Sequence, residues 1–306
     1  MILQTNYASV ILIYIGRNNF MNTIEFRRNN ENKIQWFTIA MVAFYHIMAI
    51  GAFFTFSWQN LTISLISWWI INSFGVGIGF HRLLTHKGFK VAKWLEYTLT
   101  FLGTLGMQAG AITWVTTHRM HHSFTDTDTD PHSPNKGIFW SHIGWIFKGA
   151  AQQNDDATHR RFSPDLMKDK VHVFLNKYYV VPTVILAAIF FAVGGLPLVF
   201  WGIFLRTVWS WHCTWFVNSL THVFGSRRFE TGEDSRNNAF VALVTWGEGW
   251  HNNHHANAVS ARHGLAWYEF DINWIEIKIM EAMGLASQVK EHSIEQTTIK
   301  TLRNAT

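Results

Sequence analysis

The sequence predicts an all-α integral membrane protein with four transmembrane helices paired into two hairpins. Three observations predict it. Four apolar stretches, residues 34–56, 61–80, 179–200 and 201–222, each approach the roughly 20 residues that span a bilayer. The links inside each pair carry no charge, whereas Lys and Arg flank the pairs. Charged residues make up only 15% of the 306, while Trp and Phe number 16 and 25. That bias suits a chain partly solvated by lipid, because Trp collects at membrane interfaces.

Residues 1–33 are expected to form a cytosolic segment. Its first 15 residues are apolar but lack a charged start and a small-residue cleavage site, so they read as a segment lying on the membrane or the protein body, not a signal peptide. Residues 34–80 form the first hairpin, linked by Ser57-Trp58-Gln59-Asn60. Residues 178–222 form the second, which turns around Gly194, Gly195 and Pro197. Arg17, Arg27, Arg28 and Lys33 precede the first hairpin, Arg82, Lys87, Lys90 and Lys93 follow it, and Arg227 and Arg228 follow the second. The positive-inside rule then places the N-terminus, residues 81–177 and residues 223–306 in the cytoplasm. The final residues, 296–306, read as a frayed tail.

A fifth apolar stretch, residues 99–115, is rich in glycine (Gly103, Gly106, Gly110). If it crossed the membrane, the residues on its two sides would lie on opposite faces. The histidines described next require one face, so it reads as a re-entrant or surface-lying helix, with a fifth span as the alternative.

Net charge is +5 and pI about 9.3, but the basic residues flank apolar segments instead of forming one patch. That favours a membrane surface over nucleic acid. One cysteine, Cys213, excludes internal disulfides and Cys-x-x-Cys metal or redox motifs. The anomaly is 17 histidines, many of them in three boxes: His81-Arg82-Leu83-Leu84-Thr85-His86, His118-Arg119-Met120-His121-His122 and His251-Asn252-Asn253-His254-His255. In the last two, steps of three and four residues put the rings on one helix face. The five-residue step of the first turns about 140° on an α-helix, so that pair is expected to straddle a helix end. Eight converging imidazoles would repel if protonated and need partners if buried. Two metal ions of five or six coordination satisfy them, since eight or nine ligands exceed a four-coordinate zinc site. His222, one turn after Asn218, either joins them or snorkels into water.

These boxes resemble the membrane fatty-acid desaturases of the Δ9 acyl-lipid and acyl-CoA branch. The likeness runs from about residue 72 to 268 through GFHRLLTH, THRMHHSFTDTDTDPHSPNKG, FWSHIGW, FVNSLTHVFG and GEGWHNNHHA. It implies a cytosolic helical cap carrying two irons, held by His81, His86, His118, His121, His122, His222, His251, His254 and His255, with Asn218 reaching one through water. It places Gln108, Trp114 and Thr214 at the kink of a substrate tunnel. It implies O2 as co-substrate and a cis double bond as product. Iron is needed because no side chain removes hydrogen from an unactivated carbon.

Departures refine the resemblance. Animal acyl-CoA enzymes carry an Arg-Asp pair before the second box, where this chain has Thr116 and Thr117, which points to a lipid-esterified chain of the kind used by bacterial, especially cyanobacterial, enzymes. No His-Pro-Gly-Gly haem motif is present, so electrons come from a separate donor, ferredoxin or a cytochrome b5-type protein. The histidine boxes face the cytoplasm of a bacterial inner or thylakoid membrane. Asp126, Asp128, Asp130 and His132 either orient ligand histidines or cap a loop. Arg82 and Arg119 either attract a donor or head group or pair with those aspartates. Glu248 either supports a ligand or starts a helix. His46, inside the first span, reads as packed or hydrogen-bonded. An acyl-CoA desaturase, a di-iron hydroxylase and a histidine-rich metal carrier are the competing functions. Nucleic acid is not an expected partner.

Overall fold

The computed structural model describes residues 33–148 and 155–305. The expected N-terminal segment, with Arg17, Arg27 and Arg28, lies outside the described residues. Among the described residues, three helices are long and apolar enough to cross a membrane: α1 (Trp36–Phe53), α2 (Trp58–Thr85) and, further along, a 42-residue element (Val181–His222). The last is broken at Gly195, whose φ of 65° and ψ of −164° are non-helical. A Cβ on Gly202 would come within 2.4 Å of the Phe190 ring, so the two arms fold back on each other. The Gly-Gly-x-Pro link produces this, because glycine accepts positive φ and proline cannot continue a helix.

Ser57 caps α2, accepting a hydrogen bond from the Asn60 amide at 3.0 Å. The first link is therefore shorter than expected, and Trp58 to Asn60 belong to the helix. From Ile70 to Thr85 the helix widens to π winding. Its N-terminal arm meets the second half of the Val181–His222 element: Ser64 Oγ donates to the Trp201 carbonyl (3.0 Å), and Trp201 Nε1 donates to the Thr55 carbonyl (3.1 Å). α1 and the first arm of Val181–His222 expose large apolar side chains, including Phe37, Phe53 and Val193. Lipid is the solvent that such faces fit.

The stretch at residues 99–115 is two helices, α3 (Lys93–Thr104) and α4 (Ala111–Phe124), joined by a tight turn. α3 and α4 are in contact with each other. The turn's carbonyls have no partner of their own. Arg206 Nη1 donates to Leu105 O (2.7 Å), and Trp211 Nε1 lies 3.1 and 3.0 Å from the Gly106 and Met107 carbonyls. A buried helix end needs such donors. α3 packs directly on the glycine face of α2, where a Cβ on Gly75 would lie 2.6 Å from the Gly103 amide nitrogen.

The remaining elements surround the far ends of these helices: α5 (Asp156–Phe162), α6 (Lys170–Lys177), α7 (the Val181–His222 hairpin), α8 (Ala239–Val244), α9 (His251–Ala256), α10 (Ile272–Ala282) and α11 (Ile294–Ala305). A single two-residue antiparallel ladder, Lys90↔Ser287 and Val91↔Ala286, is the departure from an all-α fold. The expected frayed tail is instead helical. Ser293 and Gln296 form a reciprocal capping box, amide to side chain in both directions, at 3.2 and 2.9 Å.

Gly75→Ala forces α3 away from α2 and is expected to lower stability by about 1–3 kcal/mol. The thermal midpoint of detergent-solubilised protein checks this. An unchanged midpoint would mean the helices do not approach this closely.

Candidate metal centre

The nine histidines meet. His81 lies in the last turn of α2 and His86 directly after it, as the five-residue step suggested. π winding adds a residue to each turn, so a five-residue step nearly returns to the same side, and the two rings lie 4.8 Å apart. α4 carries His118, His121 and His122, the end of α7 carries His222, and α9 carries His251, His254 and His255.

The rings divide into two sets. In one, ligand nitrogens of His81, His86, His118, His122 and His254 lie within 4.8 Å of one another; in the other, those of His121, His222, His251 and His255 do. Each of the two helical boxes feeds both sets. His118 and His122 join the first and His121 the second, while His251 and His255 join the second and His254 the first. Helix geometry accounts for this: residues i and i+4 nearly eclipse, whereas i+3 diverges from i+4 by about 100°. The sets are adjacent, with the His122 and His255 rings stacked at 4.4 Å.

Carboxylates fix the tautomers. Glu248 Oε2 faces His81 Nδ1 at 2.7 Å, Asp130 Oδ2 faces His121 Nδ1 at 2.9 Å, and Asp126 Oδ1 faces His222 Nδ1 at 3.1 Å. Protons held outward on Nδ1 leave the Nε2 lone pairs pointing inward. There they confront each other: His81 with His254 at 3.2 Å, His254 with His122 at 2.9 Å, His121 with His255 at 3.3 Å and His222 with His251 at 3.1 Å. Where both rings of a pair carry their proton on Nδ1, the facing lone pairs repel without a cation between them. His86 Nε2, His251 Nδ1 and His254 Nδ1 are buried without a hydrogen-bond partner. The donor set therefore fits two metal ions that prefer imidazole.

Charge state agrees. His86, His118, His122, His251, His254 and His255 are held well below the usual imidazole value, first by burial and then by one another. His121 goes the other way. Burial lowers it, but the Asp130 carboxylate outweighs burial and raises it. Neutral rings are the ligating form.

Of the residues left between two roles, Asp126, Asp130 and Glu248 orient ligands, whereas Asp128 is exposed and does not. Arg82 is not a surface attractor. It is fully buried and pairs with Glu248 (3.0 Å) and Asp271 (2.9 Å), not with the aspartates of the second box. Arg119 pairs with Asp165 and caps the Leu84 and Thr85 carbonyls. His263 carries no sequence motif, yet its Nδ1 lies 3.1 Å from Glu248 and its ring 4.4 Å from His254. A lone histidine in a loop offers no spacing to read. His132 is also buried, 4.4 Å from the His121 ring, and its pKa falls to about 3, chiefly through burial.

A cavity of about 240 Å³ runs to the first set. Its walls are mostly apolar, with Met41, Val42, Trp145 and Trp211 among them, and His118 is part of the lining. Gln108, Trp114, Thr214 and Asn218 all line it. The first three are hydrogen-bonded in series: Trp114 Nε1 donates to Gln108 Oε1 (3.2 Å), and Gln108 Nε2 donates to Thr214 Oγ1 (2.9 Å). Met107 and Ala109, flanking Gln108, have φ of 53° and 76°. Such left-handed non-glycine residues persist where surrounding structure holds them, commonly at functional sites. Asn218 borders the cavity beside His118 and His132, one turn before His222.

Glu248 Oε1 also accepts from Arg82 Nε and, at 2.6 Å, from Asn273 Nδ2. Burial alone would raise its pKa, but Arg82, His81 and His263 hold it well below the carboxylate range. Glu248→Gln is expected to weaken metal binding about 10–100-fold, as loss of a ligand-orienting carboxylate does. Metals retained per chain against a graded chelator check this. Retention equal to wild type would remove Glu248 from the site.

Comparison with known proteins places these features in context. The fatty acid desaturase family profile matches residues 56–278. An sn-1 stearoyl-lipid 9-desaturase of Anabaena variabilis is 45% identical over 264 residues, 86% of this chain and 96% of that protein. An sn-2 palmitoyl-lipid 9-desaturase of Nostoc sp. (strain 36) is 41% identical, covering 86% and 92%. An acyl-CoA 5-desaturase of Anemone leveillei is 42% identical, covering 86% and 84%. The two histidine sets, the cavity that reaches one of them and this extent of identity lead to one conclusion: the chain belongs to the fatty acid desaturase family.

Proposed function

We propose that this chain introduces a cis double bond at Δ9 of a saturated C16 or C18 acyl chain esterified in a membrane glycerolipid. It uses O2 and two electrons from a separate donor, ferredoxin in a photosynthetic host. In this reading α1, α2 and the two arms of α7 are four transmembrane helices, and both histidine sets face the cytoplasm. Two irons are held by the two sets, five imidazoles for one and four for the other, with Asn218 reaching one through water. When bound, they supply the O2 chemistry that removes hydrogen from an unactivated carbon.

The observation that carries the reading is the series Trp114–Gln108–Thr214 in the wall of an apolar cavity that His118 also lines. The residues' task is to hold one bent conformer of a flexible chain with two adjacent carbons at the metals, which is catalysis by pre-organisation. The hydrogen bonds of Gln108 set where the wall bends, and the aromatic lining excludes water. Overall, two C–H bonds are lost, two protons and two electrons are taken up, and O2 leaves as two water molecules. The esterified substrate is supported by Thr116, which stands where animal acyl-CoA enzymes have the Arg of their pair. It is fully buried and its hydroxyl lies 2.8 Å from Ser163 Oγ, so this position offers no charged cradle for a CoA head group.

Expression in a host of known saturated lipids, with a working donor, tests this. A new Δ9 bond is expected in lipid-bound chains, lost in His255→Ala at unchanged protein level. Activity on free acyl-CoA alone, or a hydroxylated product, would overturn the reading. Gln108→Leu removes the series of hydrogen bonds but keeps the volume. It is expected to spread the double bond to neighbouring carbons, read by mass spectrometry of disulfide adducts. A single Δ9 product at the wild-type rate would show that the wall bend does not set the position.

A further inference from the structure

A hydrogen-bonded series runs from α10, across α2, to the first histidine set. Glu276, in α10, meets α2 inside the apolar stretch 61–80. Trp69 Nε1 donates to Glu276 Oε1 at 2.7 Å, and Ser73 Oγ lies 2.5 Å from Glu276 Oε2. Ser73 Oγ also lies 2.7 Å from Asn273 Oδ1, and Asn273 Nδ2 lies 2.6 Å from Glu248 Oε1. Glu248 ends the series on His81 Nδ1. α2 leaves room for it: a Cβ on Gly77 would lie 2.3 Å from Asn273 Nδ2 and 3.2 Å from Glu248 Oε1.

Counting hydrogens from the Glu248 end assigns each role. Glu248 Oε1 accepts from Arg82 Nε as well, so it has no hydrogen to give Asn273. The Asn273 amide therefore turns its N–H to Glu248 and its oxygen to Ser73. An amide oxygen brings no hydrogen, so the Ser73–Asn273 contact takes the single hydroxyl hydrogen of Ser73. None is left for the contact between Ser73 and Glu276. The hydrogen there is the acid's own. An ionised Glu276 would instead draw the Ser73 hydroxyl to itself and leave Asn273 Oδ1 without a donor.

The surroundings agree. Glu276 is buried, and on the outer side of α10 Ile275 and Ile279 are exposed, as suits an apolar solvent. A carboxylate at this depth would have to shed its water. The charged groups that face Glu276 are Arg82 on α2, Asp271 at the start of α10 and Glu248 before α9. Arg82 is committed to Glu248 and Asp271, and Lys278 pairs with Glu281 on the exposed side of α10. Burial is the largest influence on the Glu276 carboxyl and raises its pKa; Arg82 lowers it and Asp271 raises it. We infer that Glu276 is a neutral carboxylic acid that acts as a positioning residue, fixing Asn273 through Ser73 and so setting Glu248 against His81. Its consequence for the metals rests on the metal-centre reading, whereas the neutral acid does not.

The test uses the full chain, iron-loaded, in nanodiscs. Infrared difference spectra between wild type and Glu276→Gln are expected to show a carboxylic acid C=O band at about pH 7, where an ordinary glutamate of pKa about 4.3 is ionised. A carboxylate band in its place would overturn the inference. Iron retained against a graded chelator reads the positioning. Glu276→Gln keeps both contacts, because its amide donates to Ser73 and accepts from Trp69, and it is expected to retain iron as wild type does. Glu276→Ala and Ser73→Ala interrupt the series and are expected to release iron about 10-fold more readily, the low end for loss of a ligand-orienting partner. Equal release from Glu276→Gln and Glu276→Ala would overturn the inference, as would wild-type retention in both alanine variants. If the alanine variants fail to fold, the infrared band still decides. If wild type holds no iron, the metal-centre reading fails, and the band alone decides whether the neutral acid exists.

Discussion

Everything in this molecule is arranged around nitrogen lone pairs forced to face one another. Nine imidazoles from α2, α4, α7 and α9 are brought together with neighbouring nitrogens at 2.9–3.3 Å. Nothing in the rings favours this. For His81, His121 and His222 it is imposed from outside by carboxylates on Nδ1, and by Arg82, which neutralises Glu248 from behind. The buried ion pairs are therefore not ornaments of stability. Such pairs often stabilise little compared with apolar packing. Their effect here is orientation, since a carboxylate on Nδ1 decides which nitrogen is left for a metal.

Bringing those helices together sets the rest of the fold. His81 and His222 lie at the ends of two long apolar helices, and α4 brings His118, His121 and His122 to them after an apolar stretch. The turn at residues 105–110 accomplishes this deep among helices, where unpaired carbonyls are expensive. Arg206 and Trp211 supply the missing donors. Trp211 also belongs to the cavity wall, so the contact that permits the excursion shapes the space beside the metals.

Much of this was legible in the sequence. The histidine spacings announced the two sets of rings, and Gly195 with Pro197 announced the break in the Val181–His222 element. The division of each box between two sets was not legible, because positions i+3 and i+4 look equivalent until facing helices choose between them. Gln108, Trp114 and Thr214 were named through resemblance alone, since 106 residues separate Gln108 from its partner Thr214. The Ser-x-x-Gln start of α11 was in plain view and outweighs the polar composition that suggested a frayed end. His46 stands alone in the sequence because its partner, His212, is 166 residues away.

The interlocked allocation of the boxes has a thermodynamic consequence. α4 and α9 each donate to both sets, so ordering either helix for one ion also orders it for the other. If two ions bind, the first would bear the entropy of fixing shared backbone and the second would find it fixed, which would make their loading cooperative.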